Sequence, residues 1–240
     1  MSVAEEEQSM SVPSNTDLWQ GIDPNPDFRV LFVRHAESEI NIMPELEIPR
    51  HALPPDSGVT YPLSKKGMIE AKAIGEKLAS TELIAIYTST RTRCIQTATA
   101  IALPHIMPIR LDDDLVEIAF IDPEYSMGMI EEDDIRAVMA KWQAGDLDAA
   151  APNGGESLRQ VFQRFIPAAQ KIIARHASQP GTLVIVAHGG VMLACLTQLF
   201  ANISPEFAVQ HMFDNTETAT GQFIDGKLIC TDWHGVPLDA

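Results

Sequence analysis

Arg29-Val30-Leu31-Phe32-Val33-Arg34-His35-Ala36-Glu37-Ser38 is the stretch whose reading decides the fold. Its β-branched and aromatic half reads as a short buried strand, about Arg29 to Val33. A guanidinium and an imidazole, Arg34 and His35, follow at once, and then the polar pair Glu37-Ser38. The pattern returns far downstream. Leu183-Val184-Ile185-Val186-Ala187 is a second apolar run, and it ends in His188 followed by Gly189-Gly190. If the two strands lie parallel in one α/β sheet, both histidines emerge at one edge. That edge, at the carboxyl ends of the strands, is where open α/β sheets bind ligands.

The bulk numbers narrow what the edge serves. A chain of 240 residues, 45% of them hydrophobic, has ample material for a sizeable core. The formal net charge of −16 argues against a nucleic-acid partner. An anionic substrate must then be held by a local group of cations working against the field of the whole molecule. Cys94, Cys195 and Cys230 are widely spaced, which suggests neither a disulfide framework nor a zinc site. Reduced thiols point to a cytoplasmic address. Glu5-Glu6-Glu7 stands where a secretory signal needs basic residues. No apolar run approaches the roughly 20 residues needed to cross a bilayer, so no membrane partner is expected.

Outward from the two strands, residues 1–27 read as an acidic, flexible tail, although Trp19 and Ile22 offer docking side chains. Residues 28–240 read as one catalytic domain. The run Ile42 to Pro62 holds five prolines, Pro62 included, besides its glycine, too many for a long regular element. A long loop beside the presumed edge is a candidate substrate loop, with Arg50 and His51 as its cations. Ser64 caps a helix to about Ser80. Leu83 to Tyr87 is the next strand, and a helix carrying Arg91, Arg93 and Gln96 follows it. Ile109 to Leu111 is a third strand, leading to Leu115-Val116-Glu117. Between Ile118 and Pro152 lies a lid-like insertion with a helix from about Glu131 to Ala144, whose acidic first turn suits the positive end of a helix dipole. A long amphipathic helix then runs from Gly155-Glu156-Ser157 to about His176. Pro167 is expected to kink or break it. Asp225-Gly226 between two apolar runs signals a closing hairpin.

Arg34, His35, Arg93, Glu117 and His188 are the chemistry-bearing residues that this order of elements delivers. Guanidinium forks match phosphate oxygens. A neutral imidazole is a competent nucleophile, and neighbouring arginines favour the neutral form. A carboxyl group can pass its proton to a leaving alkoxide. The chemistry implied is phosphoryl transfer through a phosphohistidine, and no feature demands a metal or another cofactor. Taken singly each residue has a plainer reading: a hydrogen-bonded histidine, a surface cation, one more acid in an acidic chain, a turn at Asn41, a tight bend at Gly189-Gly190.

In joint order these motifs resemble the histidine phosphatase superfamily, the phosphoglycerate mutase-like family. Arg34-His35-Ala36-Glu37-Ser38 with Asn41 looks like its Arg-His-Gly-Glu-Thr signature, with Ala36 in place of the commoner glycine. Leu63-Ser64 with Gly67 and Ala71, Tyr87-Thr88-Ser89 with Arg93 and Gln96-Thr97-Ala98, Leu115-Val116-Glu117, Gly155-Glu156-Ser157 and Ala187-His188-Gly189-Gly190 continue it. The resemblance implies a three-layer α/β/α sandwich with a mostly parallel central sheet. It implies His35 as the phosphorylated nucleophile, and Arg34, Arg93 and His188 as holders of the phosphoryl group. Glu117 would be the general acid and then base, Asn41 a substrate contact, and Gly189 a backbone donor to phosphate. The segment from Glu117 to Gly154 has only Arg136 and Lys141 as Lys or Arg residues, where mutases of the family are richer in cations. A phosphatase acting on a phosphorylated small molecule is therefore favoured over a mutase. A non-catalytic phospho-ligand module and a metallo-hydrolase are the further alternatives. Oligomeric state is not legible.

Overall fold

Side chains alternate in and out along Phe28–Arg34, and both directions are buried, which places this strand inside a sheet covered on both faces. In the computed structural model, which describes residues 18–42, 61–120, 132–150 and 154–238, that strand is β1. The chain continues through α1 (Glu39–Ile42), α2 (Lys65–Leu78), β2 (Leu83–Ser89), α3 (Thr92–Ala102), β3 (Ile109–Asp112), α4 (Glu132–Gln143) and α5 (Leu158–His176). It ends with β4 (Gly181–Ala187), α6 (Gly189–Leu199), α7 (Pro205–Gln210), β5 (Thr218–Ile224) and β6 (Lys227–Trp233). The six strands form one sheet in the order β3-β2-β4-β1-β5-β6. The first four are parallel, and β5 and β6 run antiparallel at the far edge.

Three layers follow from the pleat. Val30, Phe32, Leu183 and Ile185 pack toward α5 and α6 in the larger core. Leu31, Val33, Val184 and Val186 face α2 and α3 in the smaller one. The chain therefore leaves β1 toward one layer and β4 toward the other, and a crevice opens between them at the carboxyl edge. The hairpin expected at Asp225-Gly226 forms, with φ of +49° and +74° at its two central residues.

Two expectations change. The leader does not stay free up to residue 27. Leu18 and Trp19 are 4% and 3% exposed, and Trp19 meets Phe223 edge-on with ring centroids 5.4 Å apart. The Asn25 amide donates to Ala177 O at 2.7 Å, so residues 18–27 are docked by two large apolar side chains and the backbone; residues 1–17 lie outside the described residues. Pro167 does not break its helix: α5 runs unbroken for 19 residues. Pro167 faces solvent while Phe165, Ile166, Ala168 and Ala169 are buried around it. Tertiary packing thus holds a helix that has lost one hydrogen bond, and the displaced carbonyl lies on the wet side.

The polar end of the opening motif anchors α2. Ser64 caps the helix by accepting from the Gly67 amide, and the Ser64 amide donates to Glu37 O at 3.0 Å. A Cβ on Gly67 would sit 1.8 Å from that same carbonyl oxygen. Gly67→Ala is therefore expected to destabilise the fold by about 1–3 kcal/mol, through forced displacement of packed backbone. Thermal unfolding reads it as a fall in Tm of several degrees; an unchanged Tm would show that the contact is not tight.

Candidate active site

The register of the sheet brings the two histidines together. β1 and β4 pair in parallel with Arg34 opposite Ala187, so His35 and His188 each stand one residue past the pair. The His35 amide donates to Ala187 O at 3.0 Å, and the two imidazoles meet edge-on with centroids 5.2 Å apart. His35 is 3% exposed and His188 fully buried.

The hydrogen-bond network assigns the tautomers. His35 Nδ1–H donates to Ala36 O at 2.7 Å, which leaves the lone pair on Nε2. Arg93 Nε donates to that Nε2 at 3.1 Å, and Arg93 Nη2 donates to His188 Nδ1 at 3.0 Å. His188 Nε2–H then donates to Ser89 Oγ at 2.8 Å. Arg93, on the first turn of α3, is 6% exposed and bridges both rings. Burial first, and the Arg93 and Arg34 charges next, push the His35 pKa down to about 3. Burial and Arg93 likewise hold His188 well below the ordinary imidazole range. Both rings are neutral near pH 7, so His35 Nε2 carries a free electron pair.

Arg34 Nη1 donates to Phe213 O, while Arg34 Nε and Arg93 Nη1 are buried donors without a partner among the described residues. Gly189 opens α6 directly against this guanidinium: a Cβ there would lie 3.1 Å from Arg34 Nε. Gly190 makes room in the same way for Glu117, whose Oε1 would stand 2.7 Å from an added Cβ. The Glu117 carboxylate accepts from the amides of Gly190 at 2.9 Å, Val191 at 2.8 Å and Ile118 at 3.0 Å. It thereby occupies the positive N-terminus of α6, the helix that His188 precedes as N-cap. The glycine pair thus clears space for two functional side chains, which is more than a tight bend requires. Asn41 Oδ1 accepts from the Ser38 amide and hydroxyl, both at 2.9 Å, and closes the first turn of α1. Of Ile42 to Pro62, residues 43–60 lie outside the described residues, as do 121–131 and 151–153 of the lid-like segment.

Several supporting residues were not among the candidate site residues of the sequence. Thr97 Oγ1 accepts from the Ala36 amide at 3.1 Å, and Asn215 Nδ2 donates to His35 O at 2.8 Å. Cys94 Sγ lies 3.4 Å from His188 Nε2, and burial raises this thiol to about 12, so it stays protonated. Arg164, on α5, holds the Glu117 strap. It donates to the carbonyls of Asp114 at 2.9 Å, Val116 at 2.8 Å and Glu117 at 3.0 Å. Its remaining donors grip Glu156 at 2.6 and 2.8 Å, and Glu156 Oε2 accepts from the Ala119 amide at 2.9 Å. Gly155-Glu156-Ser157 is thus two devices: Ser157 closes a capping box with Gln160, and Glu156 clamps the segment carrying Glu117.

The two imidazole lone pairs both accept from Arg93, whose guanidinium is a donor set that suits an anion. The site lies at the carboxyl edge of an α/β sheet and gathers buried guanidinium donors around two neutral imidazoles. The chain belongs to the histidine phosphatase superfamily (branch 1), whose family model matches residues 30–234. It is similar to phosphoserine phosphatase 1 of Hydrogenobacter thermophilus, 30% identical over 166 residues, 67% of this chain and 70% of that protein. It is also similar to 2,3-bisphosphoglycerate-dependent phosphoglycerate mutase 2 of Lactiplantibacillus plantarum, 25% identical over 223 residues, 81% of this chain and 90% of that protein. Among solved structures, mycobacterial glucosyl-3-phosphoglycerate phosphatase shares the fold with a TM-score of 0.65 at 21% identity, covering 87% of this chain and 99% of that one. No described helix is long and apolar enough to cross a membrane.

Proposed function

We propose that this protein is a metal-independent phosphomonoesterase that hydrolyses a phosphorylated small molecule through a phosphohistidine on His35. The observation that carries the reading is the fixed tautomer of His35: Nδ1–H is tied to Ala36 O, and the Nε2 lone pair faces Arg93. Nε2 attacks phosphorus; the N–P bond forms as the bond to the leaving oxygen breaks. Arg93 turns its N–H from Nε2 to a phosphoryl oxygen, and Arg34 and His188 share the remaining charge. Glu117 gives its proton to the leaving alkoxide. In the second half it takes one from water, whose oxygen attacks phosphorus, and the N–P electrons return to Nε2. Asn41 and the Gly189 amide are assigned to substrate contact. The three cysteines are free and buried, which suits a reducing, cytoplasmic setting.

Hydrolysis of p-nitrophenyl phosphate in excess chelator, with phosphate released to water and none passed to added phosphoglycerate, tests the reading. Transfer to the acceptor would make the protein a mutase; loss of activity on chelation would make it a metallo-hydrolase. Phosphatase is favoured over mutase because Lys141 and the Asp133-paired Arg136 are the Lys and Arg residues of α4, and both sit on its exposed face.

Arg164 acts in this scheme as a positioning residue for Glu117. Arg164→Ala is expected to cost up to about 10²-fold in kcat/KM with alkyl phosphates, because misplacement by about an ångström is worth that much. With p-nitrophenyl phosphate, whose leaving group needs no proton, the loss is expected to be severalfold at most. Equal losses on both substrates would reduce Arg164 to a structural role.

A further inference from the structure

A largely apolar groove of about 250 Å³ lies next to the segment that carries Glu117. Gly190, whose amide holds the Glu117 carboxylate, lines its upper end together with Ile118. From there it runs along the outer face of α6 past Leu193 and Ala194 to Gln198, under the wall made by Trp142 of α4. Eight residues of helix give it a length of about 12 Å. Trp142 is turned so that its Nε1–H donates to Ala149 O at 2.7 Å, which leaves the ring carbons on the groove side beside Phe120, 6.0 Å away by centroids. Among the described residues, no Lys, Arg, His, Asp or Glu lines it.

We propose that this groove receives the alcohol part of the substrate, and that this alcohol is apolar, a long alkyl or arylalkyl chain. The inference rests on the phosphatase reading above. A general acid must stand at the leaving oxygen, so the carbon skeleton attached to that oxygen departs from beside Glu117. The groove beside the Glu117 segment is lined mainly by apolar side chains, with Gln143, Thr197 and Gln198 as its polar members. A phosphorylated amino acid or a second phosphate would bring charges into it that find no ion-pair partner among the described lining residues and lose their hydration. A hydrocarbon chain gains with each methylene it buries.

Calorimetric binding of n-alkylphosphonates from methyl to octyl, beside kcat/KM for the matching alkyl phosphates, tests the proposal on the full chain. Affinity and kcat/KM are both expected to rise about fourfold per methylene over the first several carbons. Ala194→Trp, which fills the groove, and Leu193→Asn, which wets it, are each expected to flatten that rise, with the octyl-to-methyl affinity ratio falling at least tenfold. An affinity that does not change with chain length overturns the proposal. So does a rise that neither variant alters, or a change in sedimentation of the variants alone, which would make the groove a contact between copies of the chain. Because phosphonates bind without turnover, a rising series with no hydrolysis would sink only the phosphatase reading.

Discussion

His35→Ala is expected to abolish turnover, by about 10⁵-fold or more, and to remove every trace of acid-labile phosphoenzyme after rapid quenching with labelled substrate. The size follows from the loss of the atom proposed to accept phosphorus, since residual rates in sites stripped of a nucleophile come from binding and charge stabilisation alone. Arg34, Arg93 and His188 remain in the variant, so inorganic phosphate is still expected to bind. Activity within about tenfold of the parent would end the phosphohistidine mechanism. The pH behaviour is a second check. A ring with a pKa of about 3 is already neutral throughout the range of ordinary assay, because protonation is disfavoured by burial and by two guanidiniums. Phosphoenzyme formation is therefore expected to show no histidine titration between about pH 5 and 8, the range in which an ordinary imidazole changes charge. A drop in the rate with a midpoint near 6.5 would show that the nucleophile is not held neutral.

Glu117→Gln is expected to lower kcat by about 10²–10⁴-fold with alkyl phosphates and far less with p-nitrophenyl phosphate. The carboxyl group sits on three backbone amides at the start of α6, so the glutamine keeps one acceptor and turns a donor toward the other N–H groups. A measured Tm therefore accompanies the kinetics, and Glu117→Ala, which removes both effects of the amide, serves as the second variant. The discriminating quantity is the ratio of the two substrates. General-acid help is needed only when the leaving alkoxide is a strong base. If both variants lose the same factor on both substrates, Glu117 is a structural cap on α6 and the acid lies elsewhere.

The sequence by itself determined the frame and most of the candidate site. Two buried strands ending in Arg34-His35 and His188 were legible because a fully covered strand needs an unbroken apolar run, and the first polar residues after it must lie at an edge. Ser64, Ser157 and Asp225-Gly226 were legible because caps and tight turns act over three or four residues. The tertiary structure alone decided what depends on partners distant along the chain. Arg93 looked like one cation on a helix start; parallel register makes it the bridge between His35 and His188. Arg164 was not singled out in the sequence; only the fold brings its guanidinium under the carbonyls before Ile118. Gly189 and Gly190 read as a bend, yet they are small because Arg34 and Glu117 cross them. Leu18 and Trp19 had no periodicity to mark them, and Pro167 carried a local rule that its buried neighbours overrode. Local preference is written residue by residue and amounts to about a kilocalorie each. Which groups meet across the sheet edge is set by register and burial, and those appear only once the whole chain is packed.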